Sequence, residues 1–151
     1  MTEERAIAAL EAAGIDFTVT RHGPVGSLAE AAALRGIEPD RIVKTLVVRR
    51  GQDDYLLVLV PGDRQISWPK LRALLGVSRL SLPPAEDAFA ATGYERGTIT
   101  PFGSSHDWPV VADEAVQGTI SLGAGALGVA VTVEAEDVIR VLGATVADVT
   151  G

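Results

Sequence analysis

The chain contains no cysteine, which removes disulfides, thiolate zinc sites and cysteine nucleophiles from consideration. Histidine is nearly as scarce. His22 and His106 are the only two, and neither has the carboxylate–histidine spacing of a zinc site, so no metal is expected. No apolar run approaches the ~20 residues that span a bilayer. The start, Met1-Thr2-Glu3-Glu4-Arg5, lacks the basic-then-apolar layout of a signal peptide. A cytoplasmic protein with no membrane partner is expected. Positive charge is also in deficit: the net charge of −7 argues against coating nucleic acid, DNA included, through bulk electrostatics. Among the cations lysine is the rare one, with two Lys against eleven Arg.

What remains is a chain of 151 residues, 47% hydrophobic and 22% charged, which fits one domain over residues 1–151 with a single core. Residues 3–13 read as a helix with Ile7 and Leu10 on one face, stopped by Gly14. Phe17–Thr20 is a short strand. Ser27 and Glu30 have capping-box spacing and open a helix that Gly36 ends. Strands 42–49 and 55–60 flank the turn Gly51-Gln52-Asp53-Asp54 as an antiparallel hairpin. Ser67 caps the next helix, with Leu71, Leu74 and Leu75 toward the core, and Ser78–Leu82 reads as a strand. Pro84 begins a helix that closes at Gly93. Strands at 110–112, 118–122 and 129–133, helix 135–142 and a last strand near 145–149 complete the chain. Without regular βαβ alternation, the pattern predicts an α+β (mixed α/β) domain, its sheet largely antiparallel or mixed, with flanking helices.

Lys44 stands out within Ile42-Val43-Lys44-Thr45-Leu46-Val47-Val48. An ammonium against a packed sheet costs several kcal/mol, on the order of a buried unpaired charge, unless it is paired or reaches water. Taken alone, a lysine snorkelling off a half-exposed strand is the plainer explanation. Arg41, Lys44, Arg49 and Arg50, with Lys70 and Arg72 on the following helix, form a local basic face suited to one RNA end, or simply a solvated strand end. Gly123-Ala124-Gly125-Ala126-Leu127-Gly128 matches GxGxxG, but a strand follows it rather than a helix, so a dinucleotide site is rejected. Its glycines still leave backbone N–H groups bare, either for a ligand or as a hairpin turn. Gly97-Thr98-Ile99-Thr100-Pro101-Phe102-Gly103 is a second such loop, able to offer fixed amide donors to a ligand oxygen or to serve as a surface connection.

Other motifs are weaker. Ser105-His106-Asp107 holds the residue types of a hydrolytic triad, yet contiguous residues rarely converge and no G-x-S-x-G elbow is present; 103–108 reads as a polar loop. His22, beside Gly23-Pro24, either borders a pocket or sits on an exposed turn. Trp68 and Trp108 read as core residues before stacking platforms. Asp113-Glu114 reads as a solvated pair at a strand end.

Taken together, His22-Gly23-Pro24 leading into Ser27–Ala32, Ile42-Val43-Lys44-Thr45-Leu46, Thr92-Gly93-Tyr94 through Gly97–Gly103, and Ile120–Gly128 resemble the YbaK/EbsC-type aminoacyl-tRNA deacylases, relatives of the editing domain inserted in bacterial prolyl-tRNA synthetases. The resemblance runs from about residue 5 to the C-terminus. It implies a single mixed α/β domain that hydrolyses the ester joining a wrong amino acid to the 3′ acceptor end of tRNA, usually proline tRNA, with no metal or organic cofactor and no covalent enzyme intermediate. The family's lysine falls on Lys44, followed by Thr45, and its G-x-x-x-P loop on Gly97–Pro101. We infer from this that Lys44, Gly97 and Pro101 are catalytic. Substrate contacts are expected from His22, Thr45, Thr100, Phe102, Ser121, Gly123 and Gly125.

Two features depart from the family pattern. Val129-Ala130-Val131 stands where cysteine-selective members carry an acid, and the histidine motif of alanine-selective members is missing near Ser121. Neither specificity transfers, and alanine, serine or cysteine all suit the pocket. Partnership with prolyl-tRNA synthetase and action on other tRNAs both stay open. Two rival readings stand beside the hydrolase: a catalytically silent module that binds tRNA ends or nucleotides, and a small α/β interaction protein.

Overall fold

Apolar alternation and capping residues set the elements. In the computed structural model, which describes residues 2–151, helices α1 (Thr2–Ala12), α2 (Leu28–Arg35), α3 (Trp68–Leu75), α4 (Ala85–Thr92) and α5 (Ala135–Leu142) flank a single sheet. Its strands are β1 (Phe17–Arg21), β2 (Ile42–Gly51), β3 (Asp54–Pro61), β4 (Val110–Asp113), β5 (Thr119–Gly123), β6 (Val129–Glu134) and β7 (Thr145–Ala147). The Ser27 hydroxyl accepts from the Glu30 amide at 3.1 Å, so the predicted cap opens α2.

The strand order is β1-β6-β5-β2-β3-β4-β7. Pairs β1/β6, β6/β5 and β2/β3 are antiparallel, whereas β5/β2, β3/β4 and β4/β7 are parallel. The sheet is therefore mixed, with its longest ladder in the β2–β3 hairpin. Both faces are covered. Val43, Val47, Leu57 and Leu59 pack with Ala6 and Leu10 of α1 and Val138 of α5. Val48, Leu56, Val58 and Val60 pack with Leu71 of α3 and Val149. This explains the unbroken apolar run of β3, since a strand buried on both faces has no polar side to alternate with.

Three expectations are corrected. Ser78–Leu82 forms no strand; only Ser81 bridges to Arg49, because the two prolines that follow, Pro83 and Pro84, lack the N–H a ladder needs. Leu74 is 40% exposed, and Leu71 alone of the α3 leucines is fully buried. Asp113 is not solvated: it is fully buried, its two carboxylate oxygens accepting from the Val149 and Ala115 amides at 3.0 Å each.

Candidate active site

The site arises where two strands part. β2 pairs with β5 only at Ile42 and Val43, and beyond them that edge of β2 meets no strand until Arg49 bridges Ser81. The Ile42 carbonyl accepts from Gly62 on the β3 side, and Arg49 exchanges both its backbone bonds with Ser81 on the other. In antiparallel pairing the direction alternates residue by residue. Thr45 and Val47 therefore aim their N–H and C=O groups away from β3, into the gap. Bare backbone groups of this kind need a partner from water or ligand.

The gap opens into a cavity of about 440 Å³ lined by Lys44, Thr45, Val47, Gly97, Ile99 and Gly123, with Arg35 and Arg96 at its margins. A neighbouring hollow of about 410 Å³ is lined by His22, Gly23, Pro24, Val25, Leu127 and Gly128. Arg35 and Gly97 belong to both walls, so the two hollows are lobes of one depression. Larger hollows elsewhere, beside Gly36–Arg41 and beside Gly118–Arg140, hold none of the candidate residues.

Lys44 is half-buried and makes no hydrogen bond or ion pair with any other described residue. Its charge is therefore left for water or ligand. The Thr45 hydroxyl is buried and has no partner among the described residues. Ser121 is fully buried on β5, where its hydroxyl accepts from Arg35 Nη1 at 3.3 Å. Gly97 sits at φ +91° with open space where a Cβ would stand, so backbone conformation rather than crowding demands glycine there.

The loop after α4 is held rigidly. The Tyr94 hydroxyl donates to the Phe102 carbonyl at 2.6 Å, and Thr98 Oγ1 donates to the Glu95 carbonyl at 2.7 Å. Arg5 reaches from α1 to the Gly103 carbonyl and stacks over the Tyr94 ring. Burial raises the Tyr94 pKa above its usual 10.0, against a smaller opposing pull from Arg5. The Gly125 amide donates to the Thr98 carbonyl at 3.0 Å, which ties the two glycine-rich segments together.

Of the expected site residues, Lys44, Thr45, Gly97 and Gly123 line the larger lobe and His22 the smaller. Ser121 reaches them through Arg35. Thr100, Pro101, Phe102 and Gly125 line neither lobe. Phe102 is buried in the core, and Thr100 Oγ1 accepts from the Phe102 amide at 3.3 Å. Gly125 faces inward, where a Cβ would lie 2.7 Å from the Thr2 carbonyl oxygen and 2.8 Å from the Tyr94 ring.

Arg35 was absent from the expected set. Its Nε donates to His22 Nε2 at 3.1 Å while His22 Nδ1 meets the Gly23 carbonyl at 2.9 Å. Because a guanidinium only donates, this places the ring proton on Nδ1. Burial lowers the Arg35 pKa. The expected basic face is gathered only in part: Arg49, Arg50 and Arg72 line one groove, while Lys70 pairs with Asp148 at 2.9 Å, Arg50 with Asp54 at 3.1 Å, and Arg41 bonds the Gln117 carbonyl. Ser105, His106 and Trp108 gather instead on the Ala91 carbonyl near the end of α4. Among the described residues no cluster of potential ligands could hold a metal ion, and no helix is long and apolar enough to cross a membrane.

Comparison with known proteins gives the arrangement a context. The aminoacyl-tRNA editing domain family matches residues 22–141. The proline–tRNA ligase of Thermosipho melanesiensis is 37% identical over 97 residues, covering 64% of this chain and 17% of the ligase. The chain spans less than a fifth of such ligases. The multifunctional Ser/Thr-tRNA deacylase ProXp-y of Escherichia coli K12 is 29% identical over 147 residues, covering 93% of this chain and 88% of its own. The crystal structure of a candidate trans-editing enzyme for prolyl-tRNA synthetase superposes with a TM-score of 0.89 at 25% identity, over 99% of this chain and 97% of that one. The chain belongs to the aminoacyl-tRNA editing domain family.

Proposed function

We propose that the chain is an aminoacyl-tRNA deacylase that works in trans, hydrolysing the ester between a small, wrongly attached amino acid and the 3′ end of a tRNA, proline tRNA foremost. The observation that carries this reading is the unpaired Lys44 on the wall of a cavity that also takes in Gly97 and Gly123. The likeness in fold to a candidate trans-editing enzyme for prolyl-tRNA synthetase supports action in trans, and prolyl-tRNA synthetase is the partner that such editing would serve.

The reaction asks little covalent chemistry of the protein. Water adds through oxygen to the ester carbonyl carbon, the carbon–oxygen bond to the ribose breaks, and the displaced proton ends on the ribose hydroxyl. Free amino acid and uncharged tRNA leave. Charge builds on the carbonyl oxygen, where the Lys44 ammonium and the Gly97 backbone stabilise it; one such donor is worth ~2.7–4 kcal/mol in the transition state. The exposed edge of β2 supplies acceptors. The Thr45 and Val47 carbonyls suit the attacking water and the substrate's α-ammonium. Gly123 closes the end that receives the side chain, with Ser121 buried behind it and holding Arg35, and Pro101 stiffens the loop that carries Gly97.

The test is deacylation of a panel of mischarged tRNAs carrying alanine, serine, cysteine or threonine. Turnover of at least one small amino acid, with correctly charged Pro-tRNA spared, is expected. Binding of tRNA ends without turnover of any of them assigns the chain to the silent, binding class.

A further inference from the structure

Arg35 is a half-buried cation with no carboxylate beside it among the described residues. Its two hydrogen bonds go to neutral groups, His22 Nε2 and Ser121 Oγ, and burial alone accounts for its lowered pKa. A guanidinium has five N–H donors; with two used, three are left over. Leaving a desolvated charge without a counter-charge is costly, and an anionic ligand removes that cost. The side chain stands in the wall shared by both lobes, and its bond to His22 fixes the fork in place.

The two lobes differ in character. The larger contains Lys44, the bare β2 edge and Gly123. The smaller contains Pro24, Val25 and Leu127, with Leu127 81% exposed and Val25 37% exposed, beside the His22 ring. Apolar surface next to imidazole and guanidinium planes is what an unstacked base packs against. If the ester occupies the larger lobe, the nucleic acid leaves through the smaller, and the first anion met on that path is the phosphodiester one nucleotide upstream of the ester.

The geometry points to Arg35 as the ligand of that last phosphodiester, with the His22–Pro24–Leu127 lobe as the exit subsite for the penultimate nucleotide. This rests on the deacylase reading above. Arginine suits the task because its planar fork matches two phosphate oxygens. In this arrangement Arg35 selects for a polynucleotide end over a free aminoacyl nucleoside, and His22 is the positioning residue that orients it.

The test compares binding of the dinucleotide CpA with binding of adenosine, by NMR titration of the full chain. Wild type is expected to bind CpA about tenfold more tightly or better, the scale of a charge-assisted hydrogen bond. The log of CpA affinity should fall against log salt with a slope near the ~0.7 of one neutralised phosphate in a single strand. R35Q, which keeps amide donors but no charge, should erase both the preference and the slope. R35K, which keeps the charge, should retain the slope and lose part of the preference, and it serves as well if R35Q folds poorly. An unchanged CpA preference in both variants overturns the assignment, as does equal binding of CpA and adenosine by wild type. Turnover of mischarged tRNA by wild type is measured alongside. Turnover without any Arg35-dependent preference removes this subsite and leaves the hydrolase standing; the preference without turnover keeps the subsite and removes the hydrolase.

Discussion

An ammonium on an apolar strand is stable only where water or a ligand reaches it, and Lys44 meets that condition because β5 leaves β2 immediately before it. Asp113 shows the opposite solution. It is fully buried, but two backbone amides satisfy it. Replacing it with alanine should cost roughly 3 kcal/mol, since charged acceptors contribute ~1.5–3 kcal/mol per bond. A fall in the denaturant midpoint of Asp113→Ala checks this. At this scale Lys44 was legible because its neighbours are apolar. Arg35 was not: a cation in the last turn of a helix is already explained by the helix dipole. Asp113 was misread because an acid at a strand end is normally solvated, and only the return of the chain at Val149 buries it.

The loop between α4 and β4 is the element that fixes the site, and its order comes from a few bonds. Tyr94 is fully buried and donates to the Phe102 carbonyl. Its raised folded pKa means that the unfolded chain loses the phenol proton first, so this contribution to stability is complete below the usual 10.0 and is lost as pH rises through the higher folded value. Wild type should show that alkaline loss, and Tyr94→Phe should lack it while being about 1–3 kcal/mol less stable at neutral pH through the orphaned carbonyl. Urea titrations from about pH 7 to 11 measure both, that range taking in neutrality and bracketing the usual phenol pKa of about 10. Gly97→Ala should cost on the order of 1–3 kcal/mol in backbone strain and lower turnover as the loop shifts; melting temperature and single-turnover rates report the two effects. The glycines marked this loop and the β5–β6 turn in the sequence. Which of their neighbours face the cavity was not legible. Thr100 and Phe102 turn inward because the loop folds back onto Tyr94 eight residues away, a turn its glycines permit but do not specify, and Gly125 sits under α1, a contact between residues distant along the chain. The divergence of β2 from β5 has no local signature either, because alternation looks the same whether or not a strand has a neighbour on each side.

Across the whole molecule, an acidic chain places Lys44 and Arg35 without carboxylate partners at the cavity beside one edge of β2. Past the cavity that edge continues into a shallow groove lined by Arg49, Arg50, Arg72 and Arg79, of which Arg50 is paired with Asp54. A tRNA acceptor stem laid there would contact phosphates without needing an overall basic protein. Arg79→Ala should raise KM, leave kcat near wild type, and reduce the salt dependence of log(kcat/KM) by about 1; steady-state kinetics over a salt series check it. The fold class was readable from the order of strands and helices, and the mixed pairing was not, because parallel partners such as β3 and β4 lie far apart in sequence. The central claim is that the lone ammonium at the strand gap stabilises the reacting ester, and the most direct measurement is single-turnover deacylation by wild type and Lys44→Ala on the same mischarged tRNA. A folded Lys44→Ala protein slowed by about 10²–10³, the scale of losing one transition-state donor, is expected. A folded variant that turns over as fast as wild type contradicts it.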